Sequence, residues 1–260
     1  MKYRLTDETI KVGEVILHRI ECVTPFADVK VGDKGGWIEK ESNLSQTDNA
    51  WVYGDARVFG YAEVKGNASV FGYAEVKGNA QVYGYAEVYG HAEVYDYVEV
   101  YGHAEVYDYV EVYGNASVFG CAEVYGNAGV FDSASVFDNA KVHGNAKVYD
   151  DAKVYGDARV YDYAVVNDSA QIYDCAVVNG YAKVYGDAKI SRVSDYIVFK
   201  NNFSSGRYFT WTRSNNMWAV GCFYGTGEEL IKKARLDSKV KARYYALYVK
   251  LMEDFQKVKL

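Results

Sequence analysis

A six-residue period governs this chain. From Ala50 to Ile190, Val or Ile falls on every sixth residue without an insertion, in 24 consecutive units. Ala stands two residues earlier in each unit, with Val98 and Val110 the only exceptions. Each unit reads Ala-x-Val-aromatic-Gly/Asp-polar, as in Ala56-Arg57-Val58-Phe59-Gly60-Tyr61. Residues two apart point the same way in a strand, so Ala and Val share an inner face and their neighbours face outward. Gly or Asp then occupies a recurring corner, where backbone of positive φ is tolerated. A helix is excluded, because period six does not match 3.6 and a breaker would interrupt it every second turn. An antiparallel meander of four-residue strands buries too little. A parallel β-helix, each coil stacked on the last, satisfies the whole pattern.

The repeat resembles the hexapeptide-repeat, left-handed β-helix proteins, in which three units close one triangular coil. The match spans about 140 residues. The left hand is implied by the resemblance, since general rules for parallel crossovers favour the right hand. At three units per coil, the 24 units make about eight coils. Stacked at a strand spacing of about 4.8 Å, they form a prism roughly 38 Å long. Val and Ala then fill the interior, so any site lies on a face, at a corner, at an end or between subunits.

The residue after each Val is outward and is aromatic in 18 of the 24 units, as at Tyr53, Phe71, Tyr89, Tyr107 and Tyr125. Rings one coil apart stack on each other, which accounts for them structurally. A sticky surface for self-association, a sugar or a base is the functional alternative. Rings on all three faces favour stacking. The residue before each Val is segregated by charge. Glu63, Glu75, Glu87, Glu93, Glu99, Glu105, Glu111 and Glu123 occupy it early, and Lys141, Lys147, Lys153, Arg159, Lys183 and Lys189 late. Glu87, Glu105 and Glu123 should lie one above another. Solvent and salt screen such a column; a cationic partner or an antiparallel copy of the chain would also offset it.

Three domains follow: an N-terminal cap over residues 1–36, the β-helix over 37–193 and a C-terminal α/β domain over 194–260. The cap covers an open solenoid end. Ile38 and Leu44 fall in register with the Ala column, so the first irregular coil starts near Trp37. The Gly35-Gly36 cluster lacks the strand-loop-helix context of a phosphate loop. In the last domain, Tyr196–Lys200, 208–213 and 217–224 read as three strands. Thr226 to Glu229 has capping-box form and opens a helix. A second helix over 239–258 carries Val240, Tyr244, Leu247, Leu251 and Phe255 on one stripe, expected to face the core. The Gly-Gly-Trp-Ile-Glu…Asn-Leu-Ser lead-in is similar to that of YdcK-like hexapeptide proteins of bacteria, prophages and phages. The passage Gly221 to Glu229 resembles a small C-terminal domain carried by phage repeat proteins.

Charge differs between the parts. The chain is −6, and residues 194–260 hold 12 Lys/Arg against 6 Asp/Glu, or +6, leaving −12 for residues 1–193. A basic domain with exposed rings can bind nucleic acid, but the acidic solenoid opposes steering to it. Enzymes of the hexapeptide class are mainly acyltransferases, with a His near a corner and a loop over the donor. His91 and His103 occupy corners here, yet no loop breaks the repeat. They stand in near-duplicate Tyr-Gly-His-Ala-Glu-Val units, as drift from Asn or Tyr would leave them. Cys22, Cys121, Cys175 and Cys222 show no zinc spacing. Cys121 and Cys175 are three coils apart, roughly 14 Å, too far for a disulfide. With neither a signal peptide nor an apolar run long enough to span a bilayer, a cytoplasmic protein is expected, in host cytoplasm if phage-encoded.

These observations point to a non-enzymatic interaction or scaffold protein with no cofactor, catalytic residue or metal, one form being an inhibitor of host defence. The alternatives are a sponge holding a nucleotide signal at a subunit interface, and an acyltransferase. A homo-oligomer, dimer or trimer, and a protein partner are expected; nucleic acid and membrane are not. The candidate interaction surface comprises Trp211, Trp218, Tyr224, Tyr244, Tyr245, Glu87, Glu105 and Glu123.

Overall fold

A computed structural model describes residues 1–258. The repeat forms a mainly parallel β-helix of about nine turns, one more than the regular units alone provide. After β1 (Tyr3–Val12), β2 (Val15–Cys22) and β3 (Lys34–Ile38), 24 two-residue strands run from β4 (Trp51–Val52) to β27 (Lys189–Ile190). They line three faces, taken in chain order. The first begins at Trp51 and the third at Glu63, with eight strands each. The second begins at Trp37 and is prolonged by the β1–β2 hairpin into an eleven-stranded sheet. Each Val of the repeat pairs in register with its counterpart on the adjoining coil, as Val88 does with Val106.

Inner Ala and Val residues are fully buried; Ala128, at 2% exposed, is the only repeat Ala that solvent touches. Burial of such a column at about 25 cal/mol per Å² of apolar area is the main stabilising force. Corners adopt φ between +54° and +78°, with Gly or Asp at each. Asp tolerates this backbone, and at most Asp corners the carboxylate also accepts a hydrogen bond from the corner N–H one coil later: Asp96 from Gly114 at 3.3 Å, Asp168 from Gly186 at 2.8 Å.

Each coil donates backbone N–H groups to carbonyls of the next coil, as Glu87 does to Ala104 at 2.9 Å. The N-terminal end therefore presents free carbonyls and the C-terminal end free N–H groups. Both ends meet complementary side chains. Lys2, 6% exposed, donates to the Ala50 and Asp48 carbonyls at 2.7 and 3.0 Å, and the Tyr3 hydroxyl to Leu44 at 2.7 Å. At the other end the Thr210 and Ser214 hydroxyls accept from the N–H groups of Lys183 and Lys189 at 2.9 and 2.7 Å. Both open edges are thus closed.

Three local expectations are corrected. Ile38 and Leu44 pair with Val58 and Val64, a step two positions longer than a regular coil. They belong to the Val column, because the first coil holds two extra residues between Leu44 and Val52. The C-terminal sheet has four antiparallel strands, β28 (Tyr196–Lys200), β29 (Tyr208–Thr212), β30 (Met217–Val220) and β31 (Phe223–Gly225). Gly221, at φ +61°, splits the expected third strand into a hairpin. The helices α1 (Gly227–Asp237) and α2 (Lys239–Lys257) pack beside it, α1 opening with the expected Thr226/Glu229 capping box. The third correction is that α2 faces the other way. Its buried residues are Ala242, Tyr245, Val249 and Met252, while Val240, Leu247, Leu251 and Phe255 remain 59, 67, 51 and 48% exposed.

Candidate interaction surfaces

The charge columns stand as the register requires. Glu87 pairs with Glu105, and Glu105 with Glu123. The column ends where Lys141 follows Glu123 and donates to it at 2.6 Å. Glu105 accepts from the Tyr89 hydroxyl at 3.0 Å. Glu87 has no such relief: partial burial, then Glu105 beside it, hold its carboxyl above the ordinary value. On the second face Lys77 bridges Glu75 and Glu93 at 3.2 and 2.7 Å, and Arg57 meets Glu75 at 2.8 Å. The acidic columns are thus partly neutralised within the chain.

The aromatic columns are half-buried ladders. On the third face Tyr83, Tyr101, Phe119, Phe137, Tyr155 and Tyr173 stack continuously, with ring centres 4.8 to 5.3 Å apart. Burial, then the adjacent Glu99 carboxylate, pushes the Tyr83 hydroxyl up to about 12. His143 belongs to the first-face ladder, between Tyr125 and Tyr161 at 4.6 and 4.9 Å, and burial there lowers its pKa. Parallel rings stacked one coil apart stabilise neighbouring strands, which accounts for ladders on every face.

The corner histidines are exposed ring-stack members. His91 lies between Tyr73 and Tyr109, at 5.1 and 4.8 Å, and His103 stacks on Tyr85 at 4.9 Å. His103 also lies one coil from Cys121 on the same corner, which its N–H bond to Gly120 fixes. The coil spacing alone carries that neighbour pair, which the sequence reading missed. Among the described residues no hydrogen bond joins the two, and no base orients either imidazole. Nor does any cluster of three or more His, Cys, Asp or Glu among them stand ready to hold a metal. All four cysteines are free, Cys22 buried and the others exposed.

The C-terminal candidates divide. Trp211, Trp218 and Tyr245 are 3, 1 and 4% exposed and form the domain's core with Phe209 and Leu230. They cannot offer the surface expected of them, because the sheet buries its face under α1 and α2. Tyr224 is half-buried against the last coil, its hydroxyl donating to the Tyr185 carbonyl at 3.1 Å and joined to Asn215. Only Tyr244 borders open surface, stacked on exposed Phe203 at 5.8 Å. The surface the expectation overlooked is the outer stripe of α2. Beside it, Arg235, Lys239 and Arg243 line a groove of about 410 Å³ between the helices.

A family model for the YdcK beta solenoid repeat matches residues 152–168. A protein of Escherichia coli (strain K12) named "Uncharacterized acetyltransferase YdcK" is 36% identical over 72 residues. That alignment covers 24% of this chain and 22% of the relative, so the chain matches about a fifth of the relative's length. The likeness thus lies with YdcK-type repeat β-helix proteins.

No helix among the described residues is long and apolar enough to cross a membrane.

Proposed function

We propose that this chain is a non-enzymatic scaffold whose C-terminal domain grips an acidic protein partner. The observation that carries this is the exposed stripe Val240, Leu247, Leu251 and Phe255 on a helix whose core side is already occupied. A solvent helix carrying a second apolar stripe marks an interaction surface. Lys239, Arg243 and Lys250 lie between the two apolar stripes at 100° per residue, a basic rim suited to carboxylates. The solenoid then acts as a rigid stem. A phage or prophage setting, with a host defence protein as the partner, rests on the resemblance of the lead-in and of the C-terminal domain.

The relative's printed name favours a second reading, acetyl transfer. His91 and His103 would be its bases. Against it stand ring stacking on both histidines and a repeat with no loop to cover a donor.

Native mass spectrometry of the full chain from its producing cells separates the two. A partner in fixed ratio should be retained by a His91→Ala/His103→Ala variant and lost with Leu247→Asp/Leu251→Asp. Acetyl-CoA turnover abolished by the histidine changes, with no partner bound, would overturn the scaffold reading.

A further inference from the structure

The third face has a property the other two lack. Its outward column of residues preceding Val is antisymmetric in charge about its midpoint. Counting inward from the two ends, Glu63 mirrors Lys189 and Gln81 mirrors Gln171. Glu99 then mirrors Lys153, and Ser117 mirrors Ser135. The six rings of the column beside it are symmetric about the same point, with Lys65 and Ser191 at its two ends the one unmatched pair. Phe119 mirrors Phe137, Tyr101 mirrors Tyr155 and Tyr83 mirrors Tyr173.

This pattern matches one symmetry operation. A two-fold axis parallel to the strands, midway between the coils of Ser117 and Ser135, turns a second copy face to face with its solenoid axis reversed. Such an axis keeps each column opposite its own kind and exchanges the coils end for end. Every Glu then meets a Lys, every Gln a Gln and every ring a ring. A parallel pairing would set the charged column against the aromatic one. The same midpoint operation fails elsewhere: it sets Glu105 against Glu123 on the first face and Arg57 against Lys183 on the second.

We infer that the third face is a homodimer interface, pairing two chains with antiparallel solenoids. Its charges are free for this. Glu99, Lys153 and Lys189 are exposed and, among the described residues, make no ion pair within the chain; Glu99 accepts only from the Tyr83 hydroxyl at 3.3 Å, and Glu63 meets Lys65 at 3.4 Å. The face is also unobstructed at its N-terminal end, because the β1–β2 hairpin extends the second face. With about four residues of each of its eight coils on this face, it offers roughly 500 Å² per chain, about 1,000 Å² in all, at the lower bound for a specific interface. An interface of this size belongs with weak, transient contacts, for which a micromolar dissociation constant is the expectation tested below, and it should weaken with salt because exposed charges carry the register. The surface lies on the solenoid and stands whether or not α2 binds a partner. It would set two C-terminal domains at opposite ends of the pair.

Charge swaps on the full chain test this by sedimentation equilibrium. In the dimer Glu99→Lys sets lysine against lysine at two places, and Lys153→Glu sets glutamate against glutamate at two. Each variant alone should therefore dimerise about tenfold more weakly. Mixed one to one, the two variants restore both pairs and should form a heterodimer of unaltered affinity. The doubly changed chain should likewise pair with itself. Far-UV circular dichroism checks that each variant stays folded. A monomer at 100-fold above micromolar concentration, or a dimer indifferent to the single changes, overturns the assignment, as does a failure of the mixture to recover.

Discussion

The solenoid and the C-terminal domain are both held by apolar burial, yet they specify it differently. In the solenoid each inner residue is constrained twice, by its own strand and by the coils below and above it. One Val column therefore reads the same way in 24 places, and all its members are fully buried. In the C-terminal domain one helix carries two apolar stripes, and nothing local to it says which faces the sheet. Val240, Leu247 and Leu251 stay outside, while Ala242, Tyr245, Val249 and Met252 go in, so bulk does not decide the orientation. Tyr245 meets Phe209 edge-on at 4.8 Å, which ties that stripe to the sheet. Repetition thus removes an ambiguity that side-chain size alone does not.

Substituting aspartate on each surface should give the largest contrast. Val124→Asp places a carboxylate among fully buried neighbours on three adjacent coils. It should cost more than about 4 kcal/mol and abolish cooperative thermal melting of the solenoid. Leu247→Asp, on a side chain 67% exposed, should change stability by no more than about 0.5 kcal/mol. Equal losses in denaturant melts would mean that α2 buries the other stripe.

What could be read beforehand follows the same division. The coils, the corners, the charge columns and the stacked rings all come from one period. The two-residue excess between Leu44 and Val52 is hidden, because Ile38 and Leu44 happen to fall on the Ala spacing. In the C-terminal domain the capping box at Thr226 is legible as a local hydrogen-bond motif, with Glu229 N–H donating to the Thr226 hydroxyl at 3.3 Å. The turn at Gly221 is masked by the apolar run around it. Trp211, Trp218 and Tyr245 read as surface because aromatic residues serve cores and interfaces equally, and composition does not separate them. The charge antisymmetry of the third face is present in the columns themselves. It emerges only when the residues are sorted by face and the two ends are compared.

Glycine corners sharpen the comparison at a smaller scale. Gly102, at φ +78°, has the Gly120 carbonyl oxygen 2.8 Å from where a Cβ would stand. Gly221, at φ +61°, meets only the flexible Arg207 side chain, at 3.5 Å. Alanine at 221 should therefore cost about 1 kcal/mol for its backbone conformation alone. At 102 the coil stacked above cannot move aside, and the loss should be larger, about 2–3 kcal/mol. Denaturant midpoints that fall equally for both would show that coil stacking yields as readily as a surface turn.

The smallest effects should differ in sign. Glu87 has a raised pKa, from burial and then Glu105, so between the unfolded value near 4.5 and its folded value the native state binds the extra proton. Stability attributable to it falls as pH rises through that window. Glu87→Gln should therefore raise the melting temperature at pH 7, by about 1 °C, and give no advantage below pH 4.5. Glu229 has a lowered pKa, held first by the Thr226 backbone N–H and then by its hydroxyl. Its contribution is present above the unfolded value and is lost as pH falls through the folded one. Glu229→Gln should lower the melting temperature at pH 7 by a similar small amount, and the deficit should vanish once the carboxyl is protonated. Melting curves of the two variants from pH 7 to pH 3 should converge on the parent from opposite sides. Convergence from the same side would mean that the glutamate column is already neutralised, as it would be if a cationic surface covered the first face.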